Sequence, residues 1–555
     1  MLEGSPARRN IEVARLIVVS VCLAACASIG ATARAETGGA APAGVQAPPG
    51  PAAGSGAPVA TPAEVGSTLS LTVSDAVLMA LENNRSLIVQ RMAPSISRTA
   101  EQQQRAAFDP DLTGQLSFSR AKSRRPGAPV SSRSQDISVE AGIQEFLPTG
   151  TLLDLSANTV ITQVPPSEPS EYTSSVAFSA DQPLLRGAGL DVNLASLRQA
   201  RIDILSSEYE LRGFAESLVA QTEETYWNYA LAERQMAIFQ QSLTIAQQQL
   251  DETNERIRVG KLAPTESAAA EAEVALRRED LISGRNAVET TRLQLLRLVS
   301  PSGADALGRG LSIEDQPSAA EIPHAELADH IAYALARRPD LNQARLQVNR
   351  GDLDVVKTRN GLLPRMDLFI NLGKTGYAGS FGQSVENLGT DNNYTFSAGL
   401  NAEYPILNRS ARAGYTRSVI GRAQALESVS NLEQLVEVDV RTAYIAITLA
   451  KERVAATAAT RKLQEEKLRA EIEKFRVGKS TTLLVGQAQR DLLQSQINEI
   501  QAVINHLNAF VELCRLEGSL LIRRGISCPG TEAVKMPSGE PTAAPKQYLE
   551  RIGPQ

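Results

Sequence analysis

Four segments in the first half of the chain alternate strictly between apolar and polar residues. They lie around residues 112–119, 137–144, 153–162 and 172–180, and two similar segments follow around 365–374 and 394–404. A period of two with one apolar and one polar face is typical of half-exposed β-strands. The chain supplies no second sheet to cover the apolar face. The pattern therefore favours a membrane barrel, with lipid outside and a watery lumen inside.

The strand lengths and connections fit the same interpretation. Segments of roughly 9 to 12 residues match strands that cross a membrane at a tilt. A tight turn at Leu147–Gly150 lies between longer polar loops. Outer-membrane barrels combine short periplasmic turns with longer outer loops in this way.

Very long helical patterns follow the strands. The first runs from about Asn193 to Arg258, and at about 1.5 Å per residue it spans on the order of 100 Å. Two heptad stripes run along it: Tyr229, Met236, Leu243 and Leu250, and Leu231, Ile238 and Ile245. Positions two residues apart lie about 200° apart on a helix. The stripes therefore predict a neighbour on each side, as in a closed cylinder of helices.

The chain also contains an internal duplication. Arg258, Val259, Gly260 and Lys261 recur as Arg476, Val477, Gly478 and Lys479, at a shift of 478 − 260 = 218. Gln182-Pro183-Leu184-Leu185 corresponds to Tyr404-Pro405-Ile406-Leu407, at a shift of 405 − 183 = 222. Each repeat predicts a short helix (the first over about 73–107), strands, a very long helix, a turn and a shorter helix. Ordered similarity of this length indicates two related halves of one body.

The ends of the chain differ in character from the repeats. Residues 1–35 predict a signal peptide and 36–67 a disordered spacer rich in Ala, Pro and Gly. The repeats are predicted over 68–300 and 325–521, with a linker over 301–324 and a disordered tail over 522–555. Cleavage before Cys26 would leave a lipidated N-terminus, and cleavage after Ala35 would leave none. No other stretch is long and apolar enough for a transmembrane helix.

Composition and motifs argue against catalytic, metal and nucleic-acid functions. The formal net charge is −6 and there is no basic tract, so nucleic acid is not an expected partner. The only histidines are His324, His330 and His506, and they do not have helical metal-site spacing. A phosphate loop at Gly478-Lys479-Ser480 lacks the required earlier glycine, because that position is Glu473. We expect no enzyme activity and no cofactor.

The duplicated helix–strand–helix plan with its two Arg-Val-Gly turns resembles the TolC-type outer-membrane factor family, over about residues 71–521. The resemblance implies a mixed α and β membrane protein: a trimeric outer-membrane β-barrel continued by a periplasmic α-helical barrel in a Gram-negative cell. It implies an exit duct of a tripartite efflux or type I secretion system, with a periplasmic adaptor, an inner-membrane pump, two further copies of the chain and outer-membrane lipid as partners. A periplasmic adaptor or poreless coiled-coil protein is the alternative.

The resemblance also assigns roles to residues. The turns Arg258–Lys261 and Arg476–Lys479 are expected to dock the adaptor, with Gly260 and Gly478 providing the reversal. Pro183 and Pro405 are expected where strands become helices. The tunnel constriction is expected at Thr265, Glu266, Leu484 and Gln487.

Two departures from the family pattern stand out. The added strand pair around 137–161 makes 6 × 3 = 18 barrel strands per trimer rather than twelve, unless that hairpin stands apart from the barrel. The family's second-repeat gate is often acidic, whereas Leu484 and Gln487 predict a hydrophobic and polar constriction. Glu266 is then expected either to pair with Lys479 or to be solvated.

Overall fold

The computed structural model describes residues 69–123, 132–163, 170–301, 306–318 and 326–536. The predicted signal peptide, the spacer, Cys26, His324 and the last part of the tail lie outside the described residues.

The first repeat begins with a short strand and two helices: β1 (Leu69–Leu71), α1 (Val73–Asn83) and α2 (Arg85–Ala106). The single helix expected over 73–107 is therefore wrong. Asn84 interrupts it, because its side chain accepts hydrogen bonds from the backbone N–H groups of Ser86 and Leu87 and caps a new helix.

Strands and a long hairpin complete the first repeat. The strands are β2 (Asp111–Ser123), β3 (Ser132–Phe146), β4 (Leu152–Gln163) and β5 (Glu171–Pro183). A short helix α3 (Leu190–Asn193) precedes the hairpin of α4 (Ala195–Arg258) and α5 (Thr265–Val299). The predicted turn between β3 and β4 is present, with Gly150 N–H bonded to the Leu147 carbonyl at 2.8 Å.

The second repeat follows the same plan with fewer strands. A 3₁₀ turn (Ala306–Gly308) and β6 (Leu311–Ile313) lead to α6 (Leu327–Arg337) and α7 (Pro339–Asn360). Then come β7 (Arg365–Ala378), α8 (Phe381–Thr390) and β8 (Tyr394–Glu403). The second hairpin consists of α9 (Arg409–Arg476) and α10 (Thr482–Glu517), followed by α11 (Leu520–Arg523). Helix α8 has no counterpart among the elements predicted from the sequence.

All six long strands form one antiparallel sheet in the order β2-β3-β4-β5-β7-β8, while β1 and β6 make a separate parallel pair. β5 of the first repeat pairs directly with β7 of the second, for example Phe178 with Leu372. The β3–β4 hairpin lies inside the sheet, between β2 and β5, and so it does not stand apart from the other strands of the chain. One end of the sheet leads to the long helices (the helix end) and the other carries the loops and α8 (the loop end).

Helix α4 uses both of its heptad stripes. Leu243 and Leu250 pack with Val274 and Leu281 of α5. Ile238 and Ile245 face the second hairpin across a cavity of about 100 Å³ lined also by Leu492 and Leu493 of α10. The prediction of a neighbour on each side is thus confirmed, and the helices lie in the order α5, α4, α10, α9. In the part of the chain that the structure describes, no helix is both long and apolar enough to cross a membrane.

Buried charged side chains join the two repeats between the sheet and the hairpins. Arg212 of α4 donates to Glu216 at 3.1 Å and to the Gly518 carbonyl at the end of α10 at 2.8 Å. Arg524 donates to Glu223 of α4 at 2.7 Å, and Glu223 is fully buried. Buried charges are costly unless paired and hydrogen-bonded. These contacts therefore fix how one repeat sits on the other.

The disordered tail expected from residue 522 is partly ordered. Arg212 also donates to the Gly530 carbonyl at 2.7 Å, and Val534 N–H donates to the Asn342 side chain at 2.9 Å. Gly530 has φ +78° and lies against Tyr209. Because both repeats supply partners for its backbone, residues 524–536 form an ordered strap across them.

Candidate functional site

Both hairpins end in the same backbone motif. In the first, Gly260 N–H bonds to the Ile257 carbonyl at 2.9 Å and Lys261 N–H bonds to the Arg256 carbonyl at 2.8 Å. The second repeats it with Gly478 to Phe475 and Lys479 to Lys474. This is the Schellman arrangement, which needs a left-handed residue after the helix. Gly260 at φ +74° and Gly478 at φ +76° provide it, as the expected tight reversal requires.

The arginines of the two tips form ion pairs along their own helices. Arg258 donates to Glu255 at 2.7 Å, and Arg476 donates to Glu473 at 2.8 Å. Both pairs are exposed, so they orient side chains more than they stabilise the fold. Val259 and Val477 are exposed beside them. Each tip therefore presents an apolar side chain, with lysine exposed at Lys261 and Lys479.

The two tips also touch each other. The Arg256 guanidinium lies 4.7 Å from the centre of the Phe475 ring, a cation–π distance that joins the first hairpin to the second. Across the second tip, Glu471 accepts from Lys474 at 2.5 Å and from Ser480 at 2.9 Å. The hydrogen bond from Lys474 is the main cause that lowers the pKa of Glu471.

The constriction candidates lie on the first turn of α5 and on the first two turns of α10. Thr265, Leu484 and Gln487 are exposed, and Glu266 is partly buried. The expected ion pair between Glu266 and Lys479 is not formed: among the ion pairs between described residues, none includes either side chain. Lys479 extends from the tip as an exposed side chain instead. Within one chain, the structure does not join the first-repeat candidates to the second-repeat ones.

An inter-hairpin network, which sequence reasoning missed, lies above the tips. Arg490 of α10 donates to Glu273 of α5 at 2.7 Å, and Glu273 also pairs with the buried Arg277 at 2.5 Å. Gln489 donates to Gln249 of α4 at 2.8 Å. Glu273 and Arg490 lie 273 − 260 = 13 and 490 − 478 = 12 residues after the tip glycines. That near-equal distance, with opposite charges, is the signal that could have found them.

The two strand-to-helix junctions use prolines where they were expected. Pro183 is the last residue of β5 and pairs with Asp367, and the ladder continues through Leu184 N–H to the Met366 carbonyl at 2.7 Å. Pro405 follows β8 after a single intervening residue, Tyr404. Asn408, at φ +43°, then turns the chain into α9 and donates to the Leu362 carbonyl at 3.1 Å.

The six-stranded sheet has one continuous apolar face. Apolar residues face each other directly on neighbouring strands of this face: Leu116 with Val139, Leu155 with Phe178, and Leu372 with Phe396. The opposite face carries polar partners such as Asn371 with Ser397 and Asp367 with Asn401. The side chains of Phe178, Leu372 and Phe396 are exposed on the surface of the chain. Such a surface needs an apolar environment outside the chain.

No cluster of three or more histidine, cysteine or acidic side chains that could hold a metal occurs among the described residues. His330 is buried against Glu517, and Cys514 and Cys528 are unpaired thiols. Burial raises the pKa of Cys514 to about 12. These groups belong to the packing between the repeats.

Comparison with known proteins gives a consistent result. The family model described as "Outer membrane efflux protein" matches residues 77–300 and 331–519. The outer membrane efflux protein BepC of Brucella suis is 25% identical over 411 residues, which cover 72% of this chain and 83% of BepC.

Solved structures share the fold at low identity. A membrane protein from Pseudomonas aeruginosa gives a TM-score of 0.61 at 20% identity, covering 80% of this chain and 93% of that one. The CmeC outer membrane channel of Campylobacter jejuni gives a TM-score of 0.61 at 16% identity, covering 86% and 88%.

Proposed function

Because this chain belongs to the outer membrane efflux protein family, we propose that it forms the outer-membrane exit duct of a tripartite efflux or type I secretion system. The duct conducts substrates passively from the periplasm to the exterior, and a partner pump supplies the energy. The observation that carries the proposal is the single sheet with one apolar and one polar face, continued at one end by two long hairpins. Members of the family are transport proteins of the outer membrane, not enzymes.

The duct is a homotrimer. β2 and β8 are the two edges of the sheet, and each leaves a row of backbone groups that another chain can pair with. Joining β8 of one copy to β2 of the next closes a barrel of 6 × 3 = 18 strands. Exposed apolar residues on the outer helices, including Ile282 of α5 and Ile445 of α9, support packing between copies.

The apolar face of the sheet contacts outer-membrane lipid and the polar face lines the lumen. Lipid is the environment that covers Phe178, Leu372 and Phe396 at no desolvation cost, whereas Asn371 and Ser397 keep their hydrogen-bonding groups in water. The strands are 10 to 15 residues long, enough to cross the hydrocarbon core at a tilt. The hairpins then extend from the helix end into the periplasm.

The hairpin tips dock a periplasmic adaptor. Residues 258–261 and 476–479 present a valine and an exposed lysine on a tight turn, and the Arg256–Phe475 contact places the two tips side by side. An adaptor hairpin of complementary charge can pack against both. The poreless adaptor alternative lacks support, because the family match and the exposed apolar sheet both argue for a membrane-embedded protein.

The duct narrows at its tips. Leu484 and Gln487 provide a hydrophobic and polar constriction with Thr265 and Glu266 on the neighbouring hairpin. The Arg490–Glu273 pair supports the narrow state, because it ties the second hairpin to the first directly behind these residues.

Single-channel conductance in planar bilayers tests the proposal. Purified full-length protein should give small, flickering currents, and Gln487→Ala or Glu266→Ala should enlarge them. Gln501→Ala, on the same helix far from the tip, is the matched control and should leave the currents unchanged. Absence of any conductance, including from these variants, would refute the exit duct.

A further inference from the structure

Helix α8 packs tightly against one face of the sheet. Ser384 of α8 hydrogen-bonds Ser174 of β5, Oγ to Oγ at 2.8 Å, and both side chains are buried. Asn387 donates to the Tyr377 carbonyl of β7 at 2.8 Å. A Cβ on Gly376 would lie 2.2 Å from the Ser384 carbonyl oxygen, so the glycine makes room for the helix. The position of α8 is therefore fixed by tertiary contacts.

The face on which α8 lies is the apolar one. Gly376 lies four positions after Leu372 in the same regular strand, and Ser174 lies four positions before Phe178. Side chains two or four positions apart in a strand point to the same face. α8 thus covers the loop end of the surface that carries Leu372 and Phe178, and not the polar face.

The side chains of α8 suit the boundary of a bilayer. Its apolar residues are Phe381, Val385 and Leu388, and Val385 is 43% exposed. Glu386 is its only charged residue. Gln383 is also exposed, and it lies about 200° around the helix from Val385. One side of α8 is therefore apolar and the other polar, as in helices that lie in a membrane surface.

A cation lies at the same place. Lys374 is exposed and lies two positions after Leu372 in β7, so it is on the same apolar face. Its ammonium donates to the Gly389 carbonyl near the end of α8 at 3.4 Å. A lysine at the edge of an apolar band matches the negative phosphates of lipid headgroups.

Packing between copies does not account for this helix. α8 contacts β5 and β7, whereas the edges that would meet another copy are β2 and β8. The exposed Val385 of α8 adjoins the apolar surface formed by Leu372 and Phe178. The valine and this surface are therefore expected to contact the same environment.

We propose that α8 is a membrane-surface anchor whose apolar side, through the exposed Val385, enters the headgroup–acyl boundary of the outer leaflet. Lys374 pairs with lipid phosphates beside it. The anchor holds the outer rim of the duct at a fixed depth in the bilayer. The inference rests on the proposed function, because it takes the apolar sheet face to be the one in contact with lipid.

Nitroxide labels on single cysteines test the anchor in the full-length protein, reconstituted in vesicles of phosphatidylethanolamine and phosphatidylglycerol. The labelled positions are Val385→Cys and its matched control Gln383→Cys, with Leu372→Cys and Asn401→Cys as references for the two sheet faces. Each cysteine is introduced into the Cys528→Ser variant. That variant without an introduced cysteine measures the residual labelling. Collision with oxygen and with a water-soluble nickel chelate gives the depth of each label.

The anchor predicts the label at Val385 about 5–10 Å below the phosphate level, the label at Gln383 in water and the label at Leu372 deeper than both. A Val385 label as accessible to the nickel chelate as the Gln383 label, with Leu372 in lipid, would overturn the anchor and leave the duct intact. A Leu372 label in water with Asn401 in lipid would instead overturn the orientation of the sheet, and with it the proposed function.

Discussion

Arg490 of the second hairpin donates to Glu273 of the first at 2.7 Å, 12 and 13 residues beyond the two tip glycines. The pair links helices that are 490 − 273 = 217 residues apart in sequence. Gln489 and Gln249 make a second link between the hairpins at 2.8 Å. These contacts hold the two hairpins together near their tips.

Loss of the Arg490 link should widen the tip. Arg490→Ala leaves the buried Arg277–Glu273 pair intact and removes one ion pair between the hairpins. For a partly exposed pair we expect a stability loss of about 1 kcal/mol or less. Single-channel currents in planar bilayers should grow. Lys467→Ala is the control, since Lys467 pairs with Asp491 within the second hairpin. Equal effects of the two variants would contradict a gating role for Arg490.

The tip glycine should resist substitution because of its backbone conformation alone. Gly478 has φ +76° with open space around it, so Gly478→Ala strains the turn by about 1–2 kcal/mol. Gly478→Asn should be tolerated better. Thermal unfolding and binding to an adaptor hairpin are the readouts. Gly414→Ala, in the interior of α9 with equal space, should instead stabilise. A neutral Gly478→Ala would count against the strained turn.

The contribution of Glu216 to the stability of the protein should fall as the pH rises from about 4.5 to about 7. Burial raises the pKa of Glu216 from 4.5 to about 7, and Arg212 opposes the shift. The folded state then holds this proton at a pH where the unfolded chain has released it, so its favourable contribution is complete below pH 4.5 and is lost through pH 7. At about 1.4 kcal/mol for each pKa unit, the change amounts to about 3 kcal/mol.

Glu216→Gln isolates this contribution. The variant cannot ionise, so its melting temperature should vary less between pH 5 and pH 8 than that of the wild type. An unchanged pH dependence in the variant would show that Glu216 is ionised across this range.

A charge on the apolar sheet face should be far more costly than one on the polar face. Leu372→Arg places a guanidinium where we propose lipid, at a cost of about 2–4 kcal/mol near the middle of a bilayer. Asn371→Arg, at the neighbouring position in β7, should be tolerated because it lies on the polar face, which we propose lines the lumen. The yield of heat-resistant oligomer from outer-membrane fractions compares them. Equal yields would contradict the assignment of the two faces.

Local patterns predicted the elements whose own sequence determines them. Leu112 to Ser119 alternates because one face of β2 is apolar, and the heptads of α4 reflect its two neighbours. The turns at Gly260 and Gly478 followed from glycine and the repeat. Each of these features depends on residues close together in the chain.

The missed features depend on contacts between distant residues. α8 contains two glycines and is stabilised by Ser174 and Gly376, which no local pattern reveals. Residues 524–536 have the composition of a disordered tail, yet Arg212 binds the Gly530 carbonyl 318 residues away. The Arg490–Glu273 pair also joins distant residues, 490 − 273 = 217 positions apart. Local sequence patterns do not predict structure that is stabilised by contacts with distant residues.

Electron cryomicroscopy of the full-length protein in lipid nanodiscs would show whether three six-stranded sheets close into one duct. We expect a trimer with eighteen strands crossing the bilayer, with Leu372 and Phe178 facing lipid and Asn371 facing the lumen. A barrel of twelve strands, with β3 and β4 outside the membrane, would contradict this expectation, as would a chain that remains monomeric in the bilayer.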